Sequence, residues 1–318
     1  MSTNQKNITA LLRNSFYKWE LYRYINRIGV YTPRVVTHVD GGLGSQMWQF
    51  ALGYSVSRKT GLPLTLETKF YSKNGKDCNG VKNRYFLLFE TFPEIKRLYE
   101  SSIETSKSYM SFFKDDMERS TYEYTPSLFI PERPVYLSQY YSNVRYIQEF
   151  REELIQLFKF APEMTPEEQC LANEISSTNA CMVHIRKGDF IGLSVDVCTD
   201  AYYINAIRKM AERKQNVEFY IFSNDESYFE KYIQHHCPGC VFHVIKKRCE
   251  EDPRVDFYLM NLCRHAIISN SGFSWMAAWL NDDSDSLVIM PERWNNDPAR
   301  LESSKNAFYV NQWLKFPV

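Results

Sequence analysis

Residues 34–66 read RVVTHVDGGLGSQMWQFALGYSVSRKTGLPLTL, and this stretch decides the fold class. A short β-branched run at 34–38 ends in a glycine-rich turn. A helical pattern then runs from about residue 45 to residue 60 and is closed by Gly61. Residues 62–66 have the pattern of the next strand. A strand, a loop, a helix and a second strand in this order predict a parallel sheet.

Strand patterns recur in the second half of the chain, and helical patterns separate them. The predicted strands are 180–185, 218–222, 241–245, 266–269 and 287–290. A further helix is predicted from about 143 to 158, and two prolines mark 160–169 as a hinge. The sequence therefore predicts an α/β protein with two Rossmann-like halves, 34–160 and 161–300, that face a central cleft.

The overall charge and composition exclude several classes of protein. The 318 residues contain 38 Lys and Arg against 38 Asp and Glu. Nucleic-acid-binding domains usually carry a basic excess that neutralises phosphates, so we expect no nucleic-acid partner. No apolar run approaches the roughly 20 residues of a membrane span, and no secretory signal is visible. Eight scattered cysteines, several within apolar strand patterns, indicate reduced thiols and a cytoplasmic chain.

Positive charge is concentrated at the N-terminus. Residues 1–34 hold six Lys and Arg against one Glu, a net charge of +5, which leaves −5 for the remaining 284 residues. Apolar and aromatic residues in 1–33 are spaced to line one face of a basic amphipathic helix. Two interpretations stay open. The segment makes a peripheral contact with the cytoplasmic face of a membrane, or it packs on the body of the protein with a solvated basic face.

Unusual polar segments follow the carboxyl ends of predicted strands in both halves. They are residues 40–46, 184–189, 223–225 and 269–274. In an open parallel sheet this edge is where ligands bind. Four such segments from two halves therefore indicate one shared crevice.

The glycine loop of the first half opens a helix. Backbone N–H groups and the helix dipole at this point can receive an anion, and glycine lets the ligand approach closely. The alternative is that Gly41, Gly42 and Gly44 serve only tight packing. No Lys-Ser or Lys-Thr pair follows the glycines, so the loop is not a P-loop.

The segment His184-Ile185-Arg186-Lys187-Gly188-Asp189 carries the strongest signal. Strand alternation places His184 and Arg186 on one face, and the following loop adds a second cation, Lys187, and an acid, Asp189. The planar guanidinium of Arg186 suits a phosphate. The alternative is a buried pair of Arg186 and Asp189 that holds the turn, and this supporting role is the one we expect of Asp189.

The segment Ser269 to Trp275 leaves an apolar strand and starts a helix, with Ser271 as its N-cap. Exposed N–H groups and hydroxyls there form a second phosphate-binding feature, although ordinary capping explains Ser271 equally well. Asp225 and Asp256 each lie near a helix N-terminus. Each can bind a base edge or a ribose hydroxyl, or can simply favour the helix.

No metal site is predicted. Cys237 and Cys240 have the two-residue spacing of metal and redox sites, but no second pair of ligands completes a zinc set. No metal-binding Asp-x-Asp motif is present either. The charge of a pyrophosphate is therefore expected to be neutralised by cations of the protein.

Three of these segments together resemble a known family. They are Gly41 to Met47, His184 to Asp189, and Ser269 to Trp275 with the Ala277-Ala278-Trp279 that follows. Their order and spacing resemble glycosyltransferase family 11, the inverting α-1,2-fucosyltransferases, over about residues 34–316. A His-x-Arg-Arg-x-Asp motif is shared with α-1,6-fucosyltransferases, whereas the Ser-Asn-Ser-x-Phe-Ser-Trp segment favours family 11.

The resemblance implies a GT-B-like fold with an acceptor-side N-terminal half and a GDP-fucose-binding C-terminal half. It also implies that the tail, 301–318, packs back on the N-terminal half. The implied donor is GDP-β-L-fucose, and the implied acceptor is the 2-hydroxyl of a galactose-like residue that terminates a glycan. No metal or other cofactor is implied.

The resemblance also assigns roles to individual residues. Arg186 would neutralise the β-phosphate of the leaving GDP. His184 and Asp256 would contact guanine. The turn at Ser271 and Gly272 and the loop from Gly41 to Gly44 would line the pyrophosphate.

Three residues depart from the family pattern. Lys187 replaces the usual second Arg. It keeps the positive charge, so we expect it to contact the donor, but it loses the planar fork. Gly272 stands where a hydroxyl residue is common, and Ser45 replaces a frequent Asn. These departures keep two alternatives open: an α-1,6-type fucosyltransferase, and a catalytically silent protein that binds a sugar nucleotide or a glycan.

The sequence leaves the general base open. Transfer requires that the acceptor hydroxyl lose its proton, and a positioned base typically contributes about 10²- to 10⁴-fold to the rate. The candidates are Asp189, Asp196, Glu67 and His38.

Overall fold

A computed structural model describes residue 24 and residues 32–72, 84–102, 122–246 and 252–318, with only the backbone of Asp189 and Glu226. Within these ranges the chain forms two parallel sheets. None of the helices there is long and apolar enough to span a membrane. The predicted amphipathic segment, residues 1–33, lies almost entirely outside the described residues.

The N-terminal half follows the predicted strand, helix and strand order. Its elements are β1 (Val35–His38), α1 (Leu43–Thr60), β2 (Leu64–Glu67), α2 (Lys69–Ser72), α3 (Leu88–Thr91), α4 (Pro93–Leu98), β3 (Glu100–Ser102), β4 (Val135–Leu137) and α5 (Arg151–Leu157). The strands lie in the order β3-β2-β1-β4, all parallel. The register pairs His38 at the end of β1 with Glu67 at the end of β2. These two side chains therefore reach the same point of the carboxyl edge.

Helix α1 lies very close to β1. Gly53 permits this approach, because a Cβ at that position would lie 2.2 Å from Oγ1 of Thr37. The helix ends at Gly61, whose φ of 74° is the left-handed conformation that glycine adopts at helix ends. The close packing fixes where the N-terminus of α1 points.

The C-terminal half contains the second sheet. Its elements are α6 (Pro166–Ser177), β5 (Asn179–Ile185), α7 (Asp200–Arg213), β6 (Val217–Ser223), α8 (Glu226–Tyr232), β7 (Val241–Val244), α9 (Arg254–Leu262), β8 (His265–Ile267), α10 (Gly272–Leu280), β9 (Val288–Pro291), α11 (Leu301–Ala307) and β10 (Leu314–Phe316). The strand order is β10-β9-β8-β5-β6-β7, all parallel. The five predicted strands are confirmed, whereas β10 was not predicted. Together the two sheets confirm the α/β prediction and match what a GT-B-like fold requires.

The helix predicted at 143–158 is wrong over its first half. Residues 144–146 and 148–150 form two 3₁₀ turns, and only α5 is α-helical. Tertiary contacts explain the difference, since the Tyr146 hydroxyl accepts a hydrogen bond from the Thr125 backbone N–H at 2.9 Å. Pro166, which we assigned to a hinge, is the first residue of α6. A capping box between Thr165 and Glu168 stabilises that helix end.

The two halves share one hydrophobic core where α1 packs on α10. The indole rings of Trp48 and Trp275 meet edge to face at 5.2 Å. Phe308 of the tail also lies 5.2 Å from Trp48, while the following β10 joins the second sheet beside β9. The tail thus contacts both halves. The rigid packing of α1 on α10 brings the two glycine- and serine-rich turns together.

Candidate active site

Two helix N-termini meet at the contact between the halves. Helix α1 begins after Gly42, and α10 begins after Ser271. A Cβ on Gly44 would lie 2.7 Å from both the N and Cα atoms of Phe273, so glycine is required for the two backbones to approach. The first-turn N–H groups and the positive ends of two helix dipoles therefore lie close together. Such a place favours an anion, as the sequence predicted for both turns.

The glycine loop is braced from behind. Gly41 has a φ of 73°, and its carbonyl accepts hydrogen bonds from Nε2 of Gln46 at 3.2 Å and from the hydroxyl of Tyr71 at 3.0 Å. The buried amide oxygen of Gln46 accepts from the backbone N–H groups of Leu87 and Leu88. The loop is thus held in one conformation before any ligand arrives.

Arg84 lies beside the glycine loop. A Cβ on Gly42 would lie 3.5 Å from a terminal nitrogen of Arg84. The sequence did not indicate Arg84, because the pattern around it is weak and no motif surrounds it. Its side chain adds positive charge next to the N-terminus of α1.

His184 links two of the motifs that the sequence singled out. Its side chain is buried, and Nδ1 lies 2.8 Å from Oγ of Ser274 and 2.9 Å from Oγ of Ser269. The imidazole ring lies 6.2 Å from the ring of Phe273. Two hydroxyls therefore hold the imidazole at the start of α10, directly behind the meeting of the helix N-termini.

The positions of Asp225 and Asp256 agree with their predicted place at helix starts. Asp256 is half-buried in the first turn of α9, and the neighbouring Phe257 packs on Phe273 at 5.4 Å. The Asp225 carboxylate accepts a hydrogen bond from the Ser227 hydroxyl at 3.0 Å. Asp256 thus lies on the helix that contacts Phe273 through Phe257, whereas Asp225 is engaged at the end of β6.

Arg186 follows the central strand β5 and is half-buried. The centre of its guanidinium lies 5.3 Å from the centre of the Phe190 ring, a cation–π contact that orients the planar group. The side chain of Asp189, the acid of the same motif, lies outside the described residues. Its backbone belongs to the short 3₁₀ turn at residues 188–190.

Lys187 is placed differently from the prediction that it contacts the donor. The residue is buried, and its ammonium donates to the Cys198 carbonyl at 2.7 Å and to the Asp196 carboxylate at 3.0 Å. Its backbone N–H donates to Asn224 at 2.8 Å. Lys187 follows the end of β5 at Ile185, and the turn there directs its side chain to Asp196. Lys187 braces the loop after β5, and Asp196 is engaged in that pair.

A third cluster lies at the carboxyl edge of the first sheet. Nδ1 of His38 is hydrogen-bonded to the buried carboxylate of Glu67, and Nε2 lies 3.7 Å from Oδ2 of Asp40. Oδ1 of Asp40 accepts from the Tyr140 hydroxyl at 2.6 Å and from Nε2 of Gln49 at 2.8 Å. The sequence indicated His38 and Glu67 as candidate bases, but it did not indicate that Asp40 and Tyr140 join them in one cluster. Only the strand register shows that they adjoin.

Electrostatics distinguish this cluster. Burial lowers the pKa of His38, but the hydrogen bond and charge of Glu67, with the charge of Asp40, outweigh it and raise the pKa above 6.5. Burial and the nearby Glu67 also raise the pKa of Tyr136 on β4. The imidazole is therefore a stronger base than an isolated histidine.

One candidate metal cluster among the described residues lies elsewhere. Glu174, Glu218 and His243 place ligand atoms within 4.8 Å of one another. The two carboxylates approach different nitrogens of the imidazole, at 3.4 Å and 2.8 Å. This arrangement brackets the ring and does not converge on one point. Glu218 also lies near the amino end of β6, at the edge opposite to the crevice.

Comparison with known proteins gives consistent matches. The family model described as glycosyl transferase family 11 matches residues 81–316. An alpha-1,2-colitosyltransferase of Escherichia coli is 31% identical, over 82% of this chain and 92% of that protein. A galactoside alpha-(1,2)-fucosyltransferase 2 of Oryctolagus cuniculus is 20% identical, over 92% of this chain and 78% of that protein. A crystal structure of NodZ alpha-1,6-fucosyltransferase soaked with GDP-fucose covers 79% of this chain and 93% of its own, at 15% identity and a TM-score of 0.45.

Proposed function

The chain belongs to glycosyltransferase family 11, and we propose that it is an inverting α-1,2-fucosyltransferase. It transfers L-fucose from GDP-β-L-fucose to the 2-hydroxyl of a galactose-like residue that terminates a glycan. The observation that carries the proposal is the meeting of two helix N-termini at Gly44 and Phe273. A pyrophosphate is the part of the donor that such a place binds best.

The proposed chemistry follows from where charge develops. Negative charge grows on the β-phosphate of GDP as the bond to the sugar breaks, while positive charge grows on the sugar ring. Arg186 and the N–H groups of two helices are fixed before the reaction and stabilise that negative charge. Arg84 adds a further cation on the side of the glycine loop. These protein groups are the basis for proposing that no metal is required.

The structure removes one reason for the alternative of a silent protein. That reason was the replacement of the family's usual second Arg by Lys187 at a position expected to contact the donor. Its ammonium binds Asp196 and the Cys198 carbonyl, so the departure concerns a supporting position. A Cβ on Gly272 would meet its nearest atom, the carbonyl oxygen of Gly44, at 3.9 Å, so its departure does not result from crowding.

The most specific part of the proposal is the identity of the sugar that the nucleotide donor carries. The two protein relatives are named for colitose and for fucose. Colitose is L-fucose without its 3-hydroxyl. A site that hydrogen-bonds this hydroxyl rejects the analogue strongly, whereas a site that does not bond it discriminates weakly. We propose fucose as the natural donor sugar and make the comparison part of the test.

The test is turnover of GDP-fucose and GDP-colitose against a panel of β-galactosides, with and without EDTA. We expect GDP release and an α-1,2-linked fucosyl product at a rate that EDTA leaves unchanged. Preferred turnover of GDP-colitose refutes the donor sugar. A product linked at a 6-hydroxyl supports the α-1,6 alternative. GDP binding without turnover of either donor supports the silent protein.

We also propose that residues 1–34 make a peripheral contact with an anionic membrane surface. The support is their net charge of +5 and their amphipathic spacing. The test is co-sedimentation of the full chain with vesicles that contain anionic lipid, at low and high salt. Absence of binding at low salt leaves the packed basic helix as the explanation.

A further inference from the structure

The carboxyl edge of the first sheet adjoins the glycine loop. Asp40 directly precedes the loop, and the Tyr140 hydroxyl that donates to Asp40 lies 3.2 Å from the position of a Cβ on Gly41. A pyrophosphate at the loop places its reacting sugar next to this edge, because the sugar is bonded to the β-phosphate. A group that removes the proton of the acceptor hydroxyl must lie within hydrogen-bond reach of that point.

Burial and pairing separate three of the base candidates. Asp196 is held by the Lys187 ammonium at 3.0 Å. The Glu67 side chain is only 2% exposed and bonds to the ring of His38, so it faces the histidine and not the crevice. The His38 side chain is 26% exposed. Its Nδ1 is occupied by Glu67, so Nε2 is the nitrogen that can meet a substrate.

The distance between Nε2 of His38 and Oδ2 of Asp40 is 3.7 Å, which is too long for a direct hydrogen bond. An acceptor hydroxyl can donate its one proton to the unprotonated Nε2, with the Asp40 carboxylate beside it. Asp40 is itself held by Tyr140 and Gln49 through Oδ1, so its position is fixed. The Asp40 carboxylate therefore stays close to the ring when Nε2 accepts a proton.

We propose that His38 is the general base of the transfer and that Glu67 is its positioning residue. The inference rests on the proposed function. The acceptor oxygen bonds to C1 of the fucosyl group as its proton passes to Nε2 of His38. The bond between C1 and the phosphate oxygen breaks, and its electron pair leaves with GDP. The proton on His38 then passes to solvent.

Glu67 has two effects in this scheme. Accepting from Nδ1–H fixes the tautomer in which Nε2 carries no proton, and its charge stabilises the imidazolium that forms. The groups around the ring all bear on its titration. Glu67 and Asp40 raise the pKa of His38, and Tyr136 and Tyr140 contact those two carboxylates. Transfer should therefore fall as the pH drops through a pKa above 6.5.

The experiment compares His38→Gln, Glu67→Gln and Asp189→Asn with the control His243→Gln. The ring of His243 lies between Glu174 and Glu218, away from the crevice. We expect His38→Gln to lower kcat by about 10²- to 10⁴-fold while GDP affinity and Tm stay near those of the control. Glu67→Gln should lower kcat less and move the acidic limb of the pH profile to lower pH. A loss of kcat with no movement of that limb refutes the role of Glu67.

A second variant keeps the test decisive if His38→Gln folds poorly. His38→Ala removes the ring, and added imidazole should restore part of its turnover. A kcat close to that of the control in His38→Gln refutes the base. A large loss in Asp189→Asn with normal turnover in His38→Gln identifies Asp189 instead. Wild-type protein that turns over no donor refutes the proposed function itself, and with it the base.

Discussion

At the carboxyl edge of the second sheet, the polar groups are the Arg186 guanidinium, the serine hydroxyls that surround His184 and the first N–H groups of α10. At the same edge of the first sheet they are an imidazole between carboxylates, with His38 bonded to Glu67. The two edges arise from the same parallel strand and loop architecture. The difference teaches that the same fold can place different chemistry at the ends of its strands, and in the proposed function one edge binds the anion while the other accepts the proton.

The largest effect is expected on the anion-binding side. Arg186→Ala removes the cation that we propose stabilises the leaving diphosphate, so kcat/KM should fall by about 10²- to 10⁴-fold. The matched control is Arg58→Ala, because Arg58 lies exposed at the far end of α1, where it pairs with Glu153 of α5. Steady-state kinetics with GDP-fucose and thermal unfolding separate lost chemistry from lost folding. Near-normal turnover in Arg186→Ala contradicts the assignment of the donor side.

Substitution of Lys187 tests whether Lys187 binds the donor, as proposed for Arg186, or stabilises the loop after β5. Lys187→Met leaves Asp196 and the Cys198 carbonyl without their partner, which should cost up to about 3 kcal/mol of unfolding free energy. Lys209→Met removes an exposed pair with Glu212 and should cost less than about 0.5 kcal/mol. Urea unfolding measures both. A stable Lys187→Met with GDP affinity as poor as that of Arg186→Ala would show that Lys187 binds phosphate.

Gly44 and Gly272 test the contact between the two sides. Gly44→Ala places a Cβ 2.7 Å from the Phe273 backbone and should cost about 1–3 kcal/mol together with weaker GDP binding. Gly272→Ser has room, with its nearest neighbour at 3.9 Å, and should be tolerated. Unfolding and GDP titration are measured on both variants. Equal effects of the two substitutions are inconsistent with a close approach at Gly44 alone.

Two histidines, one from each sheet, should respond to pH with opposite sign. His265 on β8 is buried, and its Nδ1 accepts from the Leu287 N–H. Burial, with the nearby Lys214 ammonium, lowers its pKa to about 4. The folded state therefore binds this proton less well than the unfolded state, and stability should fall by about 2 kcal/mol from pH 6.5 to pH 4. His265→Asn should lose that slope in urea unfolding.

The raised pKa of His38 acts in the other direction and should give the smallest effect. The charged ring stabilises the fold below pH 6.5, and this contribution is lost as the pH rises through the higher folded pKa. The stability difference between the wild type and His38→Gln should therefore be larger at pH 5.5 than at pH 8.5. Measurement by urea unfolding at both values decides it. A difference that grows with pH contradicts the pairing with Glu67.

The sequence predicted a helix or strand correctly where the residues that begin and end it lie within the element itself. Residues 272–280 form a helix as expected, because Ser271 caps it and an apolar run fills it. The same reasoning failed at 143–158, where the contact of Tyr146 with Thr125 holds a 3₁₀ turn. It also missed β10, a three-residue strand that exists only because β9 offers an edge.

The sequence by itself determined two parallel α/β halves and the motifs at their strand ends. Glycine loops, caps and strand periodicity are local, and each is encoded within a few neighbouring residues. Only the tertiary structure decided which of those residues meet. The strand register joins His38 to Glu67, the packing of α1 on α10 brings Gly44 against Phe273, and the turn after β5 sends Lys187 to Asp196. These contacts join residues distant in the chain, so no local pattern could have specified them.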